Sequence, residues 1–155
     1  MPARPTAASG PVWANLGMDI VSATRVRGLL DDHGETFFGR MLTPAELADC
    51  RNSTGLDVLI LCGRIAAKEA VFKTFRVRDR VLPWRDIVIR RSTGGWPLIE
   101  LRGSADRMAA EAGIAEITVS ISHDVDYAVA VAAPVLGAPG PPTGPPSPPS
   151  RPDTQ

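Results

Sequence analysis

Only two cysteines occur in the chain, Cys50 and Cys62, too few for a disulfide framework, so two free thiols in a reducing compartment are expected. Net charge is absent too. Lys and Arg balance Asp and Glu at 17 each, which argues against a general nucleic-acid or polyanion binder. No apolar run approaches membrane-spanning length, and the N-terminus lacks the basic-then-apolar layout of a signal peptide. The expectation is a soluble cytoplasmic protein that engages neither nucleic acid nor membrane. There is no internal repeat, and 155 residues with 44% apolar content are one domain's worth of chain.

The balanced total hides a local asymmetry. Nine Lys or Arg stand against three acids from Arg64 to Arg91, whereas six acids stand against two Arg from Gly28 to Gly63. One half of the domain therefore favours phosphates. Residues 1–14 are rich in Pro, Ala and Ser and read as a disordered N-terminal extension. From Pro134 onward, nine of the fifteen prolines fall in the last twenty-two residues, a composition that cannot bury a core and favours extended polyproline geometry. The expected division is thus an extension at 1–14, a domain at 15–133 and a Pro-rich disordered tail at 134–155.

Within the domain, Leu16–Ser22 alternates as a strand that turns Asp19 away from Leu16, Met18 and Ile20, with Gly17 leaving space on the acid's side. A helix over Ala23–Asp32 puts Val26, Leu29 and Leu30 inward and Arg25 and Arg27 at the surface. Thr43-Pro44-Ala45-Glu46 is a helix start with cap, first-turn proline and returning glutamate. A loop at Asn52–Asp57 leads to a long helix over Leu59–Phe75. Asp86–Arg91 and Leu98–Arg102 form a hairpin around turn residues, Ser104–Ala112 is a small helix, and Glu116–Ser122 pairs with Tyr127–Ala132 in a second hairpin. The order predicts an α+β domain with helices packed on one side of a mostly antiparallel sheet.

The long helix carries the chemistry. Glu69 and Lys73, four apart, stack on one helical face; taken alone they are an exposed pair worth about 0.2–0.5 kcal/mol. Moving a phosphoryl-linked group out of a diphosphate needs charge neutralised on the bridging oxygens, which Mg²⁺ and fixed cations supply. Mg²⁺ takes hard oxygen ligands, commonly one or two carboxylates plus phosphate and water. Asp19 and Glu69 have the right chemistry for it. Lys73 suits a diphosphate either as a point charge or as a proton donor to the departing phosphate. His123, in the turn between two strands, is placed to meet a ligand, while His33 in an acidic loop is idle.

Taken together, GMDIV at Gly17–Val21, RMLTPAEL at Arg40–Leu47, GRIAAKEAVFK at Gly63–Lys73, WRDIVIRR followed by GGWP, and SISHDVDYAVAV resemble the holo-acyl-carrier-protein synthases, the small type of 4'-phosphopantetheinyl transferase. The resemblance runs from about Leu16 to Ala133. It implies transfer of the 4'-phosphopantetheine arm from coenzyme A to a serine of an apo acyl carrier protein, in fatty-acid or polyketide assembly, releasing 3',5'-ADP. By the same resemblance Asp19 and Glu69 meet as the Mg²⁺ ligands, Glu69 and Lys73 are catalytic, and Lys68, Lys73 and His123 lie near coenzyme A. Arg25, with Arg27 beside it, faces the carrier protein, and the molecule is a homotrimer in which His123 and Glu69 of one site come from different chains. The attacking serine belongs to the partner; its proton has two open destinations, Glu69 or a water on the metal.

The sequence also departs from the family. Where relatives have a glycine-rich turn around the cofactor, this chain reads Phe75-Arg76-Val77-Arg78-Asp79-Arg80, and Arg76, Arg78 or Arg80 is expected to replace backbone amides in binding it. Asp31-Asp32-His33-Gly34-Glu35 places acids where docking regions are basic. Two other functions stay open: a coenzyme A or nucleotide binder that no longer transfers, and an interaction module that works through its Pro-rich tail.

Overall fold

A computed structural model describes residues 15–137; the extension expected at 1–14 and all but the first residues of the expected tail lie outside the described residues. Strand β1 (Gly17–Ser22) alternates as predicted, with Gly17 the buried member of the series. It pairs antiparallel with β7 (Tyr127–Leu136), which pairs with β6 (Ile114–His123), so the sheet order is β1-β7-β6. One row across it is Gly17, Ala132 and Val119; the next is Asp19, Ala130 and Ile121.

Helix α3 (Val58–Thr74) lies across these rows. Its position follows from side-chain size: Ala66, Ala67 and Ala70 on the helix and Ala128, Ala130 and Ala132 on the sheet are all fully buried, so helix and sheet approach closely. The tightest point is Gly17. A Cβ there would stand 1.8 Å from the Ala70 carbonyl oxygen and 3.2 Å from Lys73 Cβ. The acid-bearing face of β1 is therefore the helix-covered one. Leu16, Met18 and Ile20 instead face solvent at 49%, 63% and 60% exposure, joined by Tyr127 and Val131 of β7.

The remaining elements pack around α3. Helix α1 (Ala23–His33) begins at the side-chain cap of Ser22 and buries Val26. A 3-10 helix at Glu35–Arg40, not expected from the sequence, places Phe38 fully inside a second core with Leu42, Leu61 and Ile65. Helix α2 (Pro44–Asp49) has the expected capping box between Thr43 and Glu46. The loop expected at 52–57 contains a tight hairpin, β2 (Arg51–Asn52) with β3 (Gly55–Leu56), closed by Thr54 donating from its N–H and hydroxyl to the Asn52 side-chain oxygen. Strands β4 (Ile87–Arg91) and β5 (Pro97–Leu101) form the first expected hairpin, and helix α4 (Gly103–Glu111) follows. The fold class is α+β, as expected.

Strand β7 continues past the boundary expected at residue 133. Pro134 is fully buried within it, opposite Ile117 of β6. A proline is tolerated there because the ladder with β1 ends at Ala132, so no partner on that edge awaits its missing N–H.

Candidate active site

The close approach at Gly17 brings the next inward residue of β1 against the C-terminal half of α3. Lys73 Nζ donates to Asp19 Oδ1 and to the Met18 carbonyl, both at 2.8 Å. Glu69, one turn earlier, meets the same acid. Burial first, and then the charge and hydrogen-bonding contact of Asp19, hold the Glu69 carboxyl above the usual glutamate range, against the pull of Lys73 and Arg25. The two carboxyl groups thus come together as expected, fifty residues apart in the chain.

Asp19, Glu69 and Arg25 share a cavity of about 540 Å³ whose other walls are apolar, among them Val26, Leu29, Phe37, Ile65 and Trp84. Trp84 is an addition to the expected site; in the sequence it reads as hairpin packing, and nothing in its immediate neighbourhood signals a cavity wall. Among the described residues, no three or more His, Cys, Asp or Glu side chains group to hold a metal. An ion at Asp19 and Glu69 would complete its shell from elsewhere. The donor set is all oxygen, and the repulsion felt by Glu69 is what a divalent cation relieves, so the pair fits Mg²⁺.

His123 is not in that cavity. It closes β6 and lines a smaller one of about 250 Å³ together with Arg64 and Arg91. Arg64 is only 5% exposed, and its Nε has no partner. In the sequence Arg64 carries no signal of a site; its spacing of four before Lys68 marks only the buried side of the helix.

Lys68 is a correction to the cofactor-binding set. Its side chain is fully buried, and its three protons are committed to Glu46, 2.8 Å away, and to the carbonyls of Trp84 and Ile87. No donor is left for coenzyme A. One position from Glu69 is about 100° around a helix, so the two side chains face different surroundings. Arg25 and Arg27 likewise separate. Arg25 lines the acid-pair cavity, whereas Arg27 is felt by the Cys62 thiol, which burial raises to about 11 against that smaller pull.

Arg76 and Arg78 are exposed on the segment after α3. Arg76 and Asp79 have φ of 53° and 56°, the left-handed conformation that favours glycine. The turn keeps a glycine-type backbone with no glycine in it. Arg80 is engaged elsewhere, 3.0 Å from Glu111. In the acidic stretch, His33 stacks on Phe37 with ring centroids 5.1 Å apart and Glu35 pairs with Arg51, consistent with an idle histidine.

Residues 15–132 match the model of the 4'-phosphopantetheinyl transferase superfamily. The holo-acyl-carrier-protein synthase of Desulforudis audaxviator is 39% identical over 120 residues, covering 77% of this chain and 91% of that protein. The corresponding synthase of Moorella thermoacetica is 41% identical over 118 residues, 75% of this chain and 89% of that protein. Among solved structures, the Helicobacter pylori holo-acyl-carrier-protein synthase in complex with coenzyme A superposes with a TM-score of 0.67 at 30% identity, covering 77% of this chain and 99% of that one. The Neisseria meningitidis synthase gives 0.68 at 32% identity, covering 77% and 96%. With both acids, Lys73 and His123 inside the matched span, this chain belongs to the holo-acyl-carrier-protein synthase family of 4'-phosphopantetheinyl transferases.

Proposed function

We propose that this protein transfers the 4'-phosphopantetheine arm of coenzyme A to a serine hydroxyl of an apo acyl carrier protein and releases 3',5'-ADP. The observation that carries the reading is the cavity shared by Asp19 and Glu69, with Lys73 bonded to Asp19. In the transfer, the serine oxygen bonds to the phosphorus that bears the pantetheine, and the bond from that phosphorus to the bridging oxygen of the diphosphate breaks. Asp19 and Glu69 would hold Mg²⁺, which when bound supplies positive charge to the diphosphate. Lys73, fixed in direction by Asp19 and the Met18 carbonyl, presents its ammonium to the departing phosphate. The proton of the attacking serine passes to Glu69 or to a water on the metal.

The separate cavity of Arg64, Arg91 and His123 is a cationic pocket for a phosphate, and the bare apolar face at Met18, Ile20, Tyr127 and Val131 is a surface for a second copy of the chain. Together these support a homotrimer in which the histidine pocket of one protomer completes the acid-pair site of its neighbour. Arg25 then faces the acidic carrier helix at the cavity mouth, and Arg76 and Arg78 reach the diphosphate from the turn after α3. Incubating the protein with coenzyme A, Mg²⁺ and a panel of apo carriers tests the proposal. A carrier that gains the mass of one arm, with none gained in Asp19→Ala, is the expected result. Coenzyme A binding with no carrier modified would instead favour a binder that does not transfer.

A further inference from the structure

Glu46 and Lys68 form a fully buried ion pair 2.8 Å apart, outside the acid-pair site. Neither is idle. Lys68 Nζ donates to the Trp84 carbonyl at 2.7 Å and to the Ile87 carbonyl. Glu46 accepts from the Thr43 N–H and the Ile89 N–H, each at 2.8 Å. Four pieces of chain are thereby tied at one point: α2, α3, the start of β4, and the long segment between α3 and β4. That segment carries Arg76, Arg78 and Trp84, and half of its residues are exposed. Up to Trp84 its own backbone bonds are few and local, Arg76 N–H to the Lys73 carbonyl at 3.4 Å and Trp84 N–H to Leu82, whereas at its end the Asp86 carbonyl accepts from Arg102 N–H and the Asp86 carboxylate from Ser104 N–H, each at 2.8 Å. Ahead of Asp86, the Lys68 bond to the Trp84 carbonyl is thus the buried long-range bond on this segment, beside the exposed pairing of Arg80 with Glu111.

A buried pair of this kind is a poor choice if only cohesion is needed, because apolar replacements of similar volume are often as stable or more so. What an apolar pair lacks is direction. Three directed N–H bonds from one ammonium, two of them to carbonyls flanking the same turn, hold Trp84 where its ring forms the wall of the cavity that contains Asp19 and Glu69.

We propose that Glu46 and Lys68 are positioning residues for the coenzyme A side of the site. Their pair sets the course of residues 76–84, and with it the Trp84 wall and the approach of the arginine-bearing turn to Lys73. The proposal rests on the transferase reading above, and its test is chosen so that the two can fail separately.

The test uses the full chain carrying Trp13→Phe and Trp96→Phe, so that Trp84 is the only tryptophan. Lys68→Met, Glu46→Gln and the double variant are compared for melting temperature, Trp84 emission and its quenching by acrylamide, and kcat and KM for coenzyme A. Lys68→Met alone leaves a buried carboxylate unpaired and can fail to fold. The double variant removes both charges while Glu46→Gln keeps an oxygen for the Ile89 amide, so it stays measurable. The expected result is a folded double variant whose Trp84 emission moves to the red and is quenched more readily, with KM for coenzyme A up by about 10-fold and kcat changed by less than about 3-fold. A folded double variant with parental Trp84 emission, quenching and KM overturns the proposal, since a merely structural pair predicts that recovered stability restores all three. If the parent modifies no carrier, the transferase reading fails, while Trp84 emission still decides whether the pair holds the wall.

Discussion

Gly17→Ala adds one methyl group at the tightest contact between strand and helix, and its effect can be worked out atom by atom. The new Cβ would sit 1.8 Å from the Ala70 carbonyl oxygen, where side-chain carbons otherwise keep about 3 Å or more. Because the opposing atom is backbone within α3, no rotamer change relieves the overlap. Strand and helix must separate by about 1 Å. Overpacking of this kind costs about 1–3 kcal/mol, which for a domain of this size lowers the melting temperature by roughly 4–12 °C. Activity suffers more than stability, because the same movement draws Asp19 away from Glu69 and Lys73, and a 1 Å misplacement at a reacting centre costs on the order of 10²-fold. Thermal unfolding, with the rate of arm transfer measured well below the transition, separates the two effects. Adding Ala70→Gly restores neither, since the clash is with the carbonyl and not the side chain. A Gly17→Ala protein with parental melting and parental rate would falsify the close approach on which the acid pair depends.

Glu69→Gln should lower transfer by at least about 10²-fold yet raise the melting temperature at neutral pH. The Glu69 carboxyl is raised in the folded chain from an ordinary 4.5, so its favourable contribution is complete below that value and lost as pH rises through the folded one. The gain from the substitution therefore closes on acidification to about pH 4, and a gain independent of pH contradicts this account. Arg76→Gly relieves a left-handed φ of 53° and should stabilise the fold by about 0.5–1 kcal/mol while raising KM for coenzyme A; an unchanged KM removes Arg76 from the binding set. Ile20→Asp places a charge on the bare sheet face, 60% exposed in the single chain. Light scattering should then report monomers in place of trimers, and a parental protein that is already monomeric refutes the assembly.

Periodicity made much of this fold readable. The alternation in β1, β6 and β7 and the cap before Pro44 each depend on neighbours a few residues away, and each appears in the expected stretch, with β7 running on to Leu136. The 3-10 helix did not announce itself, because Glu35–Arg40 is too short to show a helical period, and its reason to form is tertiary: Phe38 filling a core built by α3. Alternation also could not say which side of β1 is covered. Met18 and Ile20 are the larger apolar side chains, yet the helix lies on the other face, where glycine and alanine admit it.

The site divides the same way, and Lys68 shows where the division falls. Resemblance places Lys68 near coenzyme A with Lys73, but the helix separates Lys68 from Glu69 and Lys73. Glu69 and Lys73, four apart, share a face and meet Asp19, while Lys68 shares its side with Arg64, four before it, and turns inward. That inward turn was available from spacing. What spacing could not supply was the reason a lysine can be buried there, which lies in Glu46, twenty-two residues upstream, and in carbonyls sixteen and nineteen residues downstream. Replacing Glu46 by Gln and Lys68 by Met together should therefore disturb the path of residues 76–84 while leaving the Asp19–Lys73 contact in place, because the two lysines lie on different faces of one helix.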